Sequence, residues 1–300
     1  MQGVGFWMKY KKPISLLIGC IVVLSLVASL VGIFSNAGPG VYEIVSFRGE
    51  TIEIYGKGLY NYDSVSVAAQ GIAQDIVTIV LGVPLLVVSL FLALRGSLKG
   101  RLLLTGTLGY FLYTYISYVF LWMYNPMFIL YVILMSASFF SFILLMMSFN
   151  INNLGSAFSK KLPVRFLGGF QIFFAIALCL LWLKKIIPTI TNGTVPLGLE
   201  HYTTLVIQGL DLGFIVPIAL LSGVLIIKRK PLGYLLSSVI IMKGFTMGAA
   251  LTAMIISQYL AGVSMSNIEI ILFPMVSLVI CYCLILLLKN INDKDTLIKQ

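Results

Sequence analysis

Residues 211–256 read DLGFIVPIALLSGVLIIKRKPLGYLLSSVIIMKGFTMGAALTAMII, two long apolar runs joined by the basic turn Lys228, Arg229, Lys230. Each run can cross hydrocarbon as a helix, which needs about 20 mostly apolar residues. Pro231 closes the turn, where it ends one helix and opens the next. Reading outward in both directions gives the same alternation of apolar run and short polar break. Helices are predicted near 14–34, 76–94, 102–123, 127–148, 166–187, 204–227, 232–259 and 267–288. The fold class is therefore all-α, a polytopic transmembrane bundle of eight helices. Residues 1–300 are expected to form a single transmembrane domain, with an extracytoplasmic insertion at 36–74.

Composition points the same way. Of 300 residues, 60% are apolar and 10% are charged, with a mean hydropathy of +1.05. A soluble domain carries roughly a quarter charged residues. The first run follows Lys9, Lys11 and Lys12 as a signal peptide would, but no small-residue cleavage site follows it, so a retained helix is predicted. Leu17, Ile18, Gly19 and Cys20 spell a lipoprotein-like box; the apolar run continues past Cys20, which reads as a cysteine inside a helix. Cys179, Cys281 and Cys283 also fall within predicted helices, so no disulfide framework is implied. Cys281 and Cys283 diverge by about 200° on a helix and cannot serve one metal together. No metal site and no cofactor are expected.

A net charge of +10 invites a nucleic-acid reading, but the positions of the cations exclude it. Lys9, Lys11, Lys12, Arg95, Lys99, Arg101, Lys160, Lys161, Arg165, Lys228, Arg229, Lys230, Lys289, Lys294 and Lys299 all fall on one side of an eight-helix count. By the positive-inside rule that side is cytoplasmic, with both termini on it, in a bacterial inner or plasma membrane. Glu43, Glu50, Glu53, Asp63, Asp75, Glu200, Asp211 and Glu269 lie on or toward the other side, and only Asp293 and Asp295 join the cations. The expected partners are membrane lipid, which the basic face attracts, and a small solute.

Within the insertion, Val41–Phe47 and Thr51–Tyr55 alternate in strand fashion around Arg48, Gly49 and Glu50, which predicts a hairpin. It either caps the bundle or binds a solute. The chain also hints at an internal duplication of four helices per half. Lys11, Lys12, Pro13 opens helix one, and Lys160, Lys161, Leu162, Pro163 opens helix five. Val83-Pro84 precedes Arg95 by the same eleven residues, counted from the proline, that separate Val216-Pro217 from Lys228. The preceding acids, Asp75 and Asp211, stand nine and six residues before their prolines. Such halves would be parallel repeats about the membrane normal.

Ionisable groups at membrane depth are costly and mark candidate sites. Lys243 lies ~18 Å from the cytoplasmic start of helix seven, and Asp211 ~25 Å from the same face, at 1.5 Å per residue. Adjacent helices joined by a tight turn are expected to pair them in an intramembrane ion pair, which serves either packing or a switch. Tyr110, Tyr113, Tyr115 and Tyr118 put hydroxyls at mid-depth on helix three, satisfied by neighbouring helices or lining a solute cavity. Asp75 and the pair Glu200, His201 complete the candidate set, the histidine for proton transfer at the outer mouth or as an ordinary interfacial residue. Pro84, Pro217 and Pro274 can kink the outer halves of their helices. No nucleophile elbow, P-loop, HExxH or haem motif occurs.

The stretches RGSLKGRLLLTGTLGYFLYTYISY (Arg95 to Tyr118) and HYTTLVIQGLDLGFIVP (His201 to Pro217) resemble segments of uncharacterised bacterial multi-pass membrane proteins. The resemblance extends over most of the chain, and it implies architecture without an activity, cofactor or catalytic residue. Three functions stay open: a transporter or permease-like protein with an outward-facing polar cavity lined by Tyr110, Tyr113, Asp211 and Lys243; a membrane enzyme acting on a lipid or lipid-linked substrate through Glu200, His201 and Asp211; and a sensor or assembly partner acting through the 36–74 module. A cavity around Tyr113 and Lys243 is the feature that separates them.

Overall fold

In the computed structural model, which describes residues 9–293, eight helices are long and apolar enough to cross a membrane. They are α1 (Lys11–Phe34), α2 (Val65–Leu94), α3 (Leu98–Phe120), α4 (Phe128–Met147), α5 (Val164–Asn192), α6 (Val206–Ile227), α7 (Pro231–Leu260) and α8 (Asn267–Lys289). The all-α bundle expected from the sequence is the fold. Lys294, Asp295 and Lys299 lie outside the described residues. Helices satisfy their own backbone groups, as hydrocarbon requires, and here they turn side chains such as Leu16, Leu180 and Leu278 outward.

The predicted hairpin is present. Strand β1 (Tyr42–Val45) pairs antiparallel with β2 (Thr51–Ile54), with Tyr42 opposite Ile54 and Val45 opposite Thr51. Gly49 takes the left-handed conformation its turn needs (φ 84), and Ser46 Oγ accepts from the backbone N–H groups of Arg48 and Glu50.

One boundary differs substantially. The second helix begins at Val65, not 76, with Ser64 as its N-cap accepting from the Val67 N–H. Residues 65–75 contain Gln70, Gln74 and Asp75, which lower the local hydropathy below that of a lipid-facing run. Inside the bundle those side chains meet partners, and Ala68, Ala69, Gly71 and Ala73 let neighbours approach. The insertion therefore ends at 64, and Asp75 moves from a helix end to a buried position within α2.

In the first half α1 packs on both α2 and α4, and α3 packs on α2 and α4. In the second half α5 packs on α6, α6 on α7, and α7 on α8, with α7 also central against α2 and α3. The α1–α4 contact has no comparable partner between α5 and α8. Those two helices meet edge to face at Phe166 and Tyr282 (ring centroids 6.0 Å), near the basic turns, and their backbones make few close approaches elsewhere.

The suspected repeat has a backbone counterpart. Each of α2 and α6 contains a wide π-helical turn, Thr78–Gly82 and Asp211–Ile215, ending immediately before Val83-Pro84 or Val216-Pro217. Proline removes a donor and crowds the preceding turn, and the wide turn lets the helix continue past it. Pro84 and Pro217 are 133 positions apart, and the same offset carries onward. The bonds Arg95 N–H to Phe91 and Ser97 N–H to Leu92 recur as Lys228 to Val224 and Lys230 to Leu225. Left-handed Gly96 (φ 86) recurs as Arg229 (φ 52), and Ser89 donating to the Leu86 carbonyl recurs as Ser222 donating to Ala219. This offset also explains the unequal acid spacing, since Asp211 stands in the place of Thr78 and Gln208 in that of Asp75.

Two basic-side residues do more than face lipid headgroups. Arg101 is buried, donating from Nη2 to the Ser148 carbonyl (2.9 Å) and Oγ (3.0 Å). Asp293 caps α3, accepting from Ser97 Oγ (2.7 Å) and the Leu98 N–H (2.9 Å).

Candidate functional site

A cavity of about 320 Å³ lies among α2, α3, α5, α6, α7 and α8, close to the low end of the ~300–1,000 Å³ common for small-molecule sites. Both helices that flank the gap contribute to its wall, Phe170 and Phe174 from α5 and Phe273 and Ile280 from α8. Most of the lining is apolar, and its polar side chains include Gln70, Gln74, Gln171 and Ser277, which bond within the bundle. The two charges of the wall converge on Tyr113, which α3 projects toward α6 and α7.

The Tyr113 hydroxyl donates to Asp211 Oδ1 (2.8 Å), and Trp182 of α5 donates from Nε1 to Oδ2 (2.9 Å). Lys243 Nζ lies 3.8 Å from the Tyr113 ring centroid, a cation–π contact. Asp211 (8% exposed) and Lys243 (7% exposed) are both nearly enclosed. The ion pair expected between them does not form: Tyr113 offers its hydroxyl to the acid and its ring face to the ammonium. One aromatic side chain thus links both charges, and Asp211 is satisfied without Lys243.

Tyr110 and Asp75, expected at the same site, belong to a second cluster in the first half. Tyr110 is buried toward α2, where its hydroxyl meets Gln74 Nε2 (2.6 Å) and Thr78 Oγ1 (3.1 Å), and it does not line the cavity. Asp75 accepts from the Tyr60 hydroxyl (2.5 Å) and from the Tyr118 hydroxyl (3.0 Å). Tyr60 descends from the loop after the hairpin, at the end of the tight turn Gly58–Tyr60, and is buried. Gly32 of α1 backs the carboxylate closely; a Cβ there would come within 1.9 Å of Asp75 Oδ2.

Glu200 and His201 fasten the two outer segments together. Arg48 of the hairpin turn donates to the Glu200 carbonyl (2.9 Å), His201 Nε2 bonds the Tyr62 carbonyl (3.0 Å), and the Tyr202 hydroxyl donates to Asp63 Oδ1 (2.9 Å). Neither Glu200 nor His201 lines the cavity. These contacts join the 36–64 insertion to the loop before α6.

Burial pushes the Asp63 carboxyl up to about 7, against hydrogen bonds from the Met123 N–H and Tyr202 that pull it down, with Glu200 adding to the rise. An acid raised in the folded state holds a proton that the unfolded chain has released, so stability falls as pH climbs from ~4 to about 7. The expected result is a thermal midpoint higher at pH 5 than at pH 8, with Asp63→Asn flattening that difference. An unchanged slope in the variant would show that Asp63 is not its source.

Among the described residues no cluster of His, Cys, Asp and Glu could hold a metal ion, and the four cysteines are free thiols. The sequence reading missed Trp182, Tyr60 and Gln74. Trp182 carried a signal: a tryptophan within an apolar span, away from the headgroup belt, needs an acceptor for its N–H. No known protein-family model, curated protein or solved structure matches the chain. The resemblance noted from the sequence therefore reaches only as far as eight membrane-crossing helices.

Proposed function

We propose that this membrane protein is a permease-like carrier that takes a small molecule into the cavity beside Tyr113. The observation that carries the reading is the cavity itself, roomy, apolar in most of its wall, and furnished with two intramembrane charges. A packing pair would have closed around those charges. The loose contact between α5 and α8 supplies a second support, because a carrier must open and shut around its site, and these helices have little backbone contact to hold them together. The π turns and prolines of α2 and α6 are suitable flexing points. By the positive-inside rule the basic turns and both termini are cytoplasmic and the hairpin is extracytoplasmic, in a cell membrane.

The enzyme reading loses support, since Glu200 and His201 lie outside the cavity and Asp211 stands alone as an acid in its wall. The carrier reading is tested without knowing its substrate. Spin labels at Leu180→Cys on α5 and Leu272→Cys on α8, with the four native cysteines replaced by serine, are expected to give two distance populations in lipid nanodiscs. A single narrow distance under all conditions would count against a carrier.

A further inference from the structure

Lys243 is the one charge of the cavity wall without a polar partner. Its ammonium offers three donors, and among the described residues it makes no hydrogen bond or ion pair; its close contact is the Tyr113 ring. An ammonium at this depth is expensive unless something polar meets it. Asp211 acts on it through space without bonding to it, its two oxygens turned to Tyr113 and Trp182. Most of the rest of the wall is apolar, running through Phe174, Leu178, Met247 and Ile280 to the helices beside the gap, and polar side chains there such as Gln70, Gln74, Gln171 and Ser277 are already hydrogen-bonded within the bundle.

We propose that the cavity receives an anionic amphiphile with a single tail, entering sideways from the bilayer between α5 and α8. Its carboxylate or phosphate meets Lys243, and its tail lies along the apolar wall. The inference rests on the carrier reading for its cavity and adds the ligand class. A head with no tail would leave the apolar wall in contact with water. A diacyl lipid would exceed about 320 Å³, with its second chain left in the gap. Trp182, hydrogen-bonded to Asp211 on the same wall, makes the site optically visible.

The test uses the full chain in detergent and follows tryptophan fluorescence during titration with dodecanoate, dodecyl phosphate, dodecanol, dodecylamine and inorganic phosphate. Dodecanoate and dodecyl phosphate are expected to bind on the order of ten- to a hundred-fold more tightly than dodecanol, the difference a charged hydrogen bond makes. Inorganic phosphate alone is expected not to bind; if it binds as tightly as dodecyl phosphate, the site takes free phosphate and the amphiphile claim fails. Lys243→Met should make dodecanoate and dodecanol equal while leaving dodecanol binding near that of the unaltered protein. If that variant does not fold, the ratio of acid to alcohol in the unaltered protein still decides. Equal binding of the two there, or a preference for dodecylamine, overturns the anionic head. Failure of every amphiphile to bind overturns the ligand class, while the two-distance experiment judges the carrier reading independently.

Discussion

Asp75→Ala is expected to destabilise the protein by roughly 1–3 kcal/mol, because it removes the shared acceptor of two buried tyrosine hydroxyls and leaves them the longer bonds from Tyr60 to Tyr118 (3.3 Å) and from Tyr118 to the Gly71 carbonyl (3.2 Å). Tyr60 and Tyr118 both donate to this carboxyl, and Tyr60 reaches it from the outer loop, so the loss is expected to loosen the loop as well as the helix. Asp75→Asn keeps an acceptor of the same shape and should recover most of the loss. Gly32 leaves no room for a larger side chain to compensate from α1. The measurement is reversible denaturant unfolding in mixed micelles, together with proteolysis of the 36–64 segment. An alanine variant within ~0.5 kcal/mol of the unaltered protein would show that water readily takes over the hydroxyls.

Gly223→Leu should be more damaging still, at roughly 3 kcal/mol or more. In the second half α5 is seated almost wholly on α6, and the two backbones approach most closely where Gly168 faces Gly223. A Cβ on Gly223 would come within 2.8 Å of the Gly168 carbonyl oxygen and of Ile172, and overpacking of this kind costs about 1–3 kcal/mol before any partner is lost. The same displacement would break the neighbouring latch, in which Ser222 donates to Gln171 Oε1 and Gln171 Nε2 donates to Ser237 Oγ (3.1 Å). Small residues are what permit this approach in a membrane, where no hydrophobic force pulls helices together. Gly209→Leu on the same helix is the control, since a Cβ there meets nothing within 4 Å and should be tolerated. Equal thermal midpoints for the two variants would remove Gly168 and Gly223 from the seat of α5.

How much of this was legible beforehand follows from what each residue answers to. The spans were readable because hydrocarbon imposes one demand on a long stretch, and the basic turns between them mark its ends. The start of α2 was hidden because Gln70, Gln74 and Asp75 answer to neighbours in the bundle instead of to lipid. Depth along a helix placed Asp211 and Lys243 at one level correctly enough to bring both into a single cavity wall. Depth says nothing about what stands between two helices, so the intervening Tyr113 was out of reach, as was the division of the tyrosines between Asp75 and Asp211. The matched prolines of α2 and α6 were visible as spacing. Their common cause, a wide turn that carries the helix past each proline, needed the backbone.

If a ligand enters between α5 and α8 as proposed, their incomplete contact changes what concentration means for this protein. A site reached through a sideways gap equilibrates with solutes dissolved in the bilayer, where an amphiphile accumulates far above its level in water. Occupancy would then follow mole fraction in the membrane, so a weak intrinsic affinity could suffice, and binding constants expressed per volume of buffer would shift with the amount of lipid present.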